Sequence, residues 1–447
     1  MGQASQALRQ RYQLNSITPA WARWFDGEWN QDLPAGSFRK PLPTNTLLSE
    51  APQDIWAGFM LPDTLPLISN EYGDWLCIRV LPTGELGELV HWYHGGGDWI
   101  PIGNTLVEAL LHDVIDQFRP VRKQVLRGAS ETLQTGHHRE VLDRFADDFR
   151  QGWFSQAVEE LAPQAKRLPA DFLHQLEQGE YSVCLQALEK HGLAIDAIAC
   201  DRIEDLLQNP LAVIANREIA EAVGLQWSPD FVRILFDPQL ATAEMRQAIC
   251  DAAGISPENW PQQDWAQAQN YAEQVLSRRQ DLGWAFNIAG WAQYRNGHVS
   301  AAIEHYWAGR FASSFSDQSV RVRTHWFPTK HHKFATAQLL SLHKDGHEAA
   351  TKDPYLEVIE RSATNATHAD LLTEFWLDQG RNQLDSHDFP AAYRSFYQAG
   401  WDIGARRLES YRQILAGAVE AATGAGWNAL AAVAATHLAC FTARTAR

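Results

Sequence analysis

LPLISNEYGDWLCIRVLPTGELGELVHWYHGGGDWIPIGNTLVEALLHD, residues 65–113, decides the fold class of the N-terminal part of the chain. Trp75 to Val80 (WLCIRV) is apolar and β-branched enough for a central strand. Pro82-Thr83-Gly84-Glu85 supplies a turn, and Glu88 to Tyr93 (ELVHWY) returns, so the pair reads as a hairpin. An aromatic, glycine-rich loop, HWYHGGGDW, follows. It runs into a helix capped by Thr105, with Leu106, Ala109, Leu110 and Val114 at core spacing. The pattern predicts an α+β domain over residues 1–120, a mixed or antiparallel sheet flanked by helices.

Upstream, a helix is expected near Ser5 to Asn15. Thr18-Pro19 then reads as an N-cap followed by proline at the first helical position. Trp21, Trp24 and Phe25 form the apolar face of that second helix, and Asp32 to Gln53 is a proline-rich loop. Beyond Arg119 strand patterns nearly vanish, and Ala, Gln, Leu and Glu dominate. Residues 121–447 read as an all-α helical-repeat region, an irregular α-solenoid.

Two segments resemble tetratricopeptide helix pairs, near 284–310 and 374–400. The first holds Gly290, Tyr294, Gly297, Ala302 and Tyr306. The second holds Trp376, Gly380, Ala392, Phe396 and Ala399, with His387 where the first has Gly297. Small residues let two antiparallel helices approach, and aromatics fill the groove between them. The pairs stand 90 residues apart, not a multiple of the usual period of about 34, so a regular tandem array is not established. A weaker copy is read at FRQGWFSQAVEEL, with Gly152 and Ala157. Asp345-Gly346 marks a turn between helices.

The 447 residues suffice for two or three domains. A formal charge of -16 disfavours direct nucleic-acid binding and anionic membranes, and favours a basic partner. The five cysteines are scattered and odd in number, with no CxxC pair. They support neither a zinc ribbon nor a disulfide framework, and a reducing, cytoplasmic setting fits. The N-terminus lacks the apolar core of a signal peptide. The longest apolar run, Ala429 to Ala443, is interrupted by Thr436 and His437 and reads as a packed terminal helix.

His94-Gly95-Gly96-Gly97 invites comparison with an oxyanion loop, the remote hydrolase reading. That chemistry needs a GxSxG turn, and the nearest candidate, around Ser130, lacks the second glycine. The glycines are therefore read as serving backbone geometry. His91 and His94 converge only if His94 lies beyond the strand, and no metal, cofactor or catalytic residue is assigned. His325, His331, His332, His343 and His347, with Arg321, Arg323, Lys330 and Lys333, form the most basic patch, read as surface. The acidic groups Asp147-Asp148, Glu159-Glu160 and Asp201 with Glu204-Asp205 are read as solvated helix faces.

Leu65-Pro66-Leu67-Ile68, Gly73-Asp74, the strands Trp75 to Val80 and Val90 to Tyr93, and the helix from Thr105 to Asp113 together resemble the SUKH superfamily (Smi/Knr-type). The resemblance covers roughly the first quarter of the chain, with its specific motifs between Trp56 and Asp113. The chain departs from it at Ser69, where the family often has glycine, and at Arg79, where an acidic residue is common. The resemblance implies a docking fold without catalysis: a bacterial immunity or defence-associated factor that binds a partner protein, a basic toxin among the candidates. The expected contacts are Glu71, Tyr72, Asp74, Trp92, His94, Asp98 and Trp99. The alternative is a helical-repeat scaffold or regulatory adaptor.

Overall fold

The computed structural model describes residues 2–27, 37–50, 56, 58–117, 168, 171–178, 180–207, 229–316, 333–347, 353–361 and 365–446. The Ser130 turn, the repeat copy at Gly152, the acidic pairs at Asp147 and Glu159, and the basic residues from Arg321 to His332 lie outside them.

Among the described residues five strands form one antiparallel sheet in chain order: β1 (Lys40–Pro41), β2 (Thr64–Ser69), β3 (Trp75–Val80), β4 (Leu86–Trp92) and β5 (Trp99–Gly103). The helices near the sheet in sequence are α1 (Gln3–Arg11), α2 (Pro19–Phe25), α3 (Thr44–Leu48) and α4 (Leu106–Gln117). Next come α5 (Phe172–Glu177), α6 (Tyr181–Lys190), α7 (Ile195–Leu206), α8 (Pro229–Phe236), α9 (Ala243–Ala253) and α10 (Trp265–Leu276). Further along, among the described residues, are α11 (Gly283–Arg295), α12 (Val299–Gly309), α13 (Phe334–Lys344), α14 (Pro354–Arg361), α15 (Asn365–Asp385), α16 (Phe389–Trp401), α17 (Leu408–Gly424) and α18 (Asn428–Thr445). The chain is α+β and then all-α, as its patterning implies.

The local signals explain these elements. Thr18 Oγ1 accepts from the Trp21 N–H at 3.3 Å and starts α2, which buries Trp21, Trp24 and Phe25. Trp75 faces Trp92 and Cys77 faces Val90 across the β3–β4 hairpin. At α4, Thr105 Oγ1 accepts from the Glu108 N–H at 3.3 Å, and Glu108 Oε2 accepts from Asn104 N–H at 3.2 Å. The hydroxyl cap and the returning carboxylate bracket the helix start, and the same carboxylate oxygen also takes the Ala194 N–H at 3.1 Å.

Two strands and a helix escape the sequence reading: β1 and α3 form within the stretch from Asp32 to Gln53 that the sequence reads as loop, and β5 is the third. Trp99-Ile100-Pro101 belongs to β5, where Trp99 pairs with Trp92 and Pro101 with Val90. The proline that argues for a loop is tolerated because β5 is the outermost strand.

The described residues group into two compact units. One draws on Met1–Arg119, Gln134–Ile198 and Leu372–Arg447, the other on Ala199–Leu371. The division expected at residue 120 follows the change of secondary structure, whereas the packing brings α16 to α18 back onto the sheet. Phe59 is the junction. Its N–H donates to the Tyr411 hydroxyl at 3.0 Å, and its carbonyl accepts the indole N–H of both Trp92 (3.1 Å) and Trp401 (3.0 Å). On α18, His437 Nε2 donates to the Thr64 carbonyl at 3.1 Å. This helix holds the long apolar run and buries Leu430, Val433, Ala434 and Phe441. Among the described residues no helix is long and apolar enough to cross a membrane.

The two helix pairs share their construction. Gly290 lies against the Tyr306 ring, and a Cβ at Gly380 would sit 2.9 Å from the Phe396 ring. The loops match as well. Gly297 has φ +77° and His387, its counterpart, φ +62°. Only glycine adopts that conformation without a steric cost of about 1 kcal/mol. His387→Gly is therefore expected to raise the stability of the first unit by about 0.5–1 kcal/mol in urea unfolding. A decrease would mean that the His387 ring, 5.7 Å from Phe389, contributes more than the strain costs.

Two expectations of solvated charge are corrected. Asp201 and Glu204 are buried, because α7 also buries Ala197, Ile198, Ala199, Cys200 and Ile203 and keeps little outer face; Asp205 alone of the three is exposed. Lys333 is buried too, its ammonium donating to the Arg310 carbonyl. The turn between His343 and His347 is present, with Gly346 at φ +90°.

Candidate binding surface

At one end of the sheet the β2–β3 turn is built to project a side chain. Ser69 Oγ accepts from the Glu71 N–H at 3.0 Å. Asn70 Oδ1 accepts from the N–H groups of Tyr72 and Asp74, both at 2.9 Å. Glu71 is held at φ +64° and Gly73 at φ +109°, and a Cβ on Gly73 would sit 2.9 Å from the His94 ring. Glycine is thus required twice over, by conformation and by the packed imidazole. Tyr72 leaves this turn 85% exposed, beside the exposed Glu71.

Asp74 ties the turn to the β4–β5 loop. Its Oδ1 accepts from the His94 N–H at 2.9 Å and lies 2.7 Å from His94 Nδ1. Its Oδ2 accepts from Asn70 Nδ2 at 2.8 Å and lies 3.7 Å from His91 Nε2. Burial alone raises the Asp74 pKa, yet the contacts from His91 and His94 outweigh it and hold the carboxyl well below the usual range. The two histidines converge because β4 ends at Trp92, leaving His94 in the loop. His91 stacks on Tyr93 at 3.8 Å and meets the edge of Phe38 at 4.8 Å. Asp113, whose Oδ2 accepts from the Phe38 N–H at 3.3 Å, has its pKa pushed up by burial. Among the described residues no three His, Cys, Asp or Glu side chains are grouped to hold a metal ion.

The expected contact residues separate into two sets. Glu71, Tyr72 and His94 are exposed, and Asp74 is half-buried beneath them. Trp92, Asp98 and Trp99 are buried and hold the fold. Trp92 spends its N–H on Phe59. Trp99 lies under the Arg79 guanidinium, 5.3 Å from its ring centre. Tyr93 and Asp98 close the loop, the Tyr93 N–H donating to the Asp98 carbonyl at 2.7 Å. The Gly97 N–H is likewise committed, to the Tyr93 carbonyl at 3.0 Å, and so is not presented to an oxyanion. A side chain at Gly97 would meet Phe59, whereas Gly95 faces open space. The loop's geometry therefore calls for glycine at position 97 and leaves position 95 open to substitution.

The opposite end of the sheet carries a feature that sequence reasoning missed. A groove of about 770 Å³ runs between the β3–β4 hairpin and helices α16 and α18. In its wall Arg79 donates from Nε and Nη2 to Asp63 Oδ2, at 3.0 and 2.6 Å, and from Nη1 to Glu88 Oε1 at 3.4 Å. Tyr393, Tyr397 and Trp427 face these charges from the helices. Arg79 was visible as a departure from the resembled family. Its partners Asp63 and Glu88 are near it in sequence, whereas the aromatic wall comes from more than 300 residues away. Comparison with protein families, with curated proteins and with solved structures finds no match to this chain.

Proposed function

We propose that this chain is a non-enzymatic protein-binding protein. Its first unit docks a basic partner through the Tyr72 end of the sheet. The observation that carries this reading is Tyr72 itself. A tyrosine with 85% of its surface exposed is presented on a turn fixed by Ser69, Asn70 and Asp74. A preorganised aromatic costs little entropy on binding, and such residues anchor interfaces. Glu71 beside it and the charge of -16 favour a cationic surface and speed encounter. The immunity or defence-associated role against a basic toxin rests on the SUKH resemblance of residues 56–113 alone. In the cell this reading places the protein in the cytoplasm, without cofactor.

The test is titration of the full chain with the purified product of a neighbouring toxin-like gene, by calorimetry. A complex is expected, weakened about tenfold or more by Tyr72→Ala, with an affinity that falls as salt rises. No complex, or one indifferent to Tyr72→Ala and Glu71→Lys together, would sink the proposal. The scaffold reading draws on the two matched helix pairs. It gains if binding instead follows substitutions on α11 and α12.

A further inference from the structure

In the groove at the other end of the sheet, protein packing leaves polar atoms of Asp63 and Tyr393 without hydrogen bonds. Asp63 is 8% exposed, and both N–H groups from Arg79 go to its Oδ2, while Oδ1 is buried with no partner. Tyr393 is 7% exposed, and its hydroxyl is buried with no partner. Each such atom costs about 1–3 kcal/mol while it stays unpaired. Asp63 and Tyr393 line one groove, together with the half-buried Tyr397 and Trp427. The Trp427 and Tyr393 rings pack edge to face at 5.7 Å.

The complementary chemistry follows. Asp63 Oδ1 accepts only. Burial, and then the Asp63 carboxylate, push the Tyr393 hydroxyl well above its ordinary pKa, so it stays protonated. Asp63 and Glu88 both pair with Arg79, and the exposed Arg394 also lines the groove. A carboxylate acceptor beside aromatic faces suits a cation carrying N–H donors and an apolar stem.

We propose that this groove is a binding site for a cationic side chain, a lysine or arginine presented by the basic partner. Its ammonium or guanidinium would donate to Asp63 Oδ1, and its methylenes would lie along Tyr397 and Trp427. The inference rests on the reading of the protein as a binder of basic partners and adds a second contact to it.

The probes are acetyl-Gly-Arg-Gly-amide and acetyl-Gly-Lys-Gly-amide, with the norleucine tripeptide as an isosteric neutral control. They are titrated by calorimetry into the full chain, without any partner. Binding of a cationic probe, with norleucine about tenfold weaker, is expected. Asp63→Asn is expected to weaken the cationic probe about tenfold and Tyr393→Phe less. Should Asp63→Asn fail to fold, Leu81→Lys serves instead. That exposed residue lines the groove, and its new charge is expected to weaken the cationic probe about tenfold. Equal binding of norleucine, or no binding of either cationic probe at millimolar concentration, overturns the site. Partner binding without tripeptide binding removes the groove while keeping the interface. Tripeptide binding without partner binding keeps the groove and removes the partner.

Discussion

Asp237→Ala is expected to destabilise the second unit by about 3 kcal/mol, and to lower amide protection across residues 229–309 by about a hundredfold. Asp237 is fully buried between α8 and a short 3₁₀ turn (Pro238–Leu240). Its Oδ2 accepts the Trp291 indole N–H at 3.0 Å and pairs with Arg295, while Oδ1 caps the Gln239 N–H at 3.3 Å. Around it Phe236, Trp265, Trp291 and Phe334 pack ring against ring, and Arg295 lies 5.3 Å from the Trp265 ring centre. Alanine strands a buried indole N–H and removes the cap. Arg295 is 26% exposed and can turn to water, which limits the loss. Asp237→Asn keeps an acceptor and is expected to cost about half as much. Hydrogen exchange read by mass spectrometry separates this unit from the other. A loss below about 1 kcal/mol for Asp237→Ala would show that the aromatic packing holds without the carboxylate.

The second large effect is one of pH. His437 is buried between α18 and the sheet, edge-on to Trp56 at 4.7 Å. Burial pushes its pKa down to about 4, against the opposing pull of the Thr64 carbonyl and the Asp63 carboxylate. In the unfolded chain the ring takes a proton near its ordinary 6.5. Between these values the unfolded state binds more protons, so stability rises with pH. The contribution is complete above about pH 6.5, declines as pH falls toward 4, and is flat below. Its full size is about 3 kcal/mol. Asp113, raised by burial, acts in the opposite sense at the acidic end. Asp74, held low, loses stability only as pH falls below the usual carboxylate range. Urea unfolding of the first unit from pH 7.5 to 4 should therefore show a falling midpoint. His437→Gln, which keeps a donor for the Thr64 carbonyl, should flatten that slope. The same slope in wild type and variant would place the titration elsewhere.

The candidate surface was half legible before the structure. Glu71, Tyr72, Asp74 and His94 were expected as contacts from the family resemblance, and the structure exposes Glu71, Tyr72 and His94 because the determinants of their turn and loop lie within a few positions of each other. Trp92 and Trp99, expected alongside them, are buried. A tryptophan serves a core or an interface with the same side chain, and only the Phe59 carbonyl and the Arg79 guanidinium decide which.

By itself the sequence determined what short-range physics controls: the β3–β4 hairpin, the caps at Thr18 and Thr105, and the glycine–aromatic helix pairs with their matched loops at Gly297 and His387. Periodicity, caps and turns act over fewer than about ten residues, so they are written locally. The tertiary structure alone decided that α16 to α18 return to the sheet, that Phe59 is held by Trp401 and Tyr411, and that Asp63 and Tyr393 line one groove. Those partners lie more than 300 residues apart. What joins them is burial of apolar area, a force without direction or sequence range, so no local pattern records it.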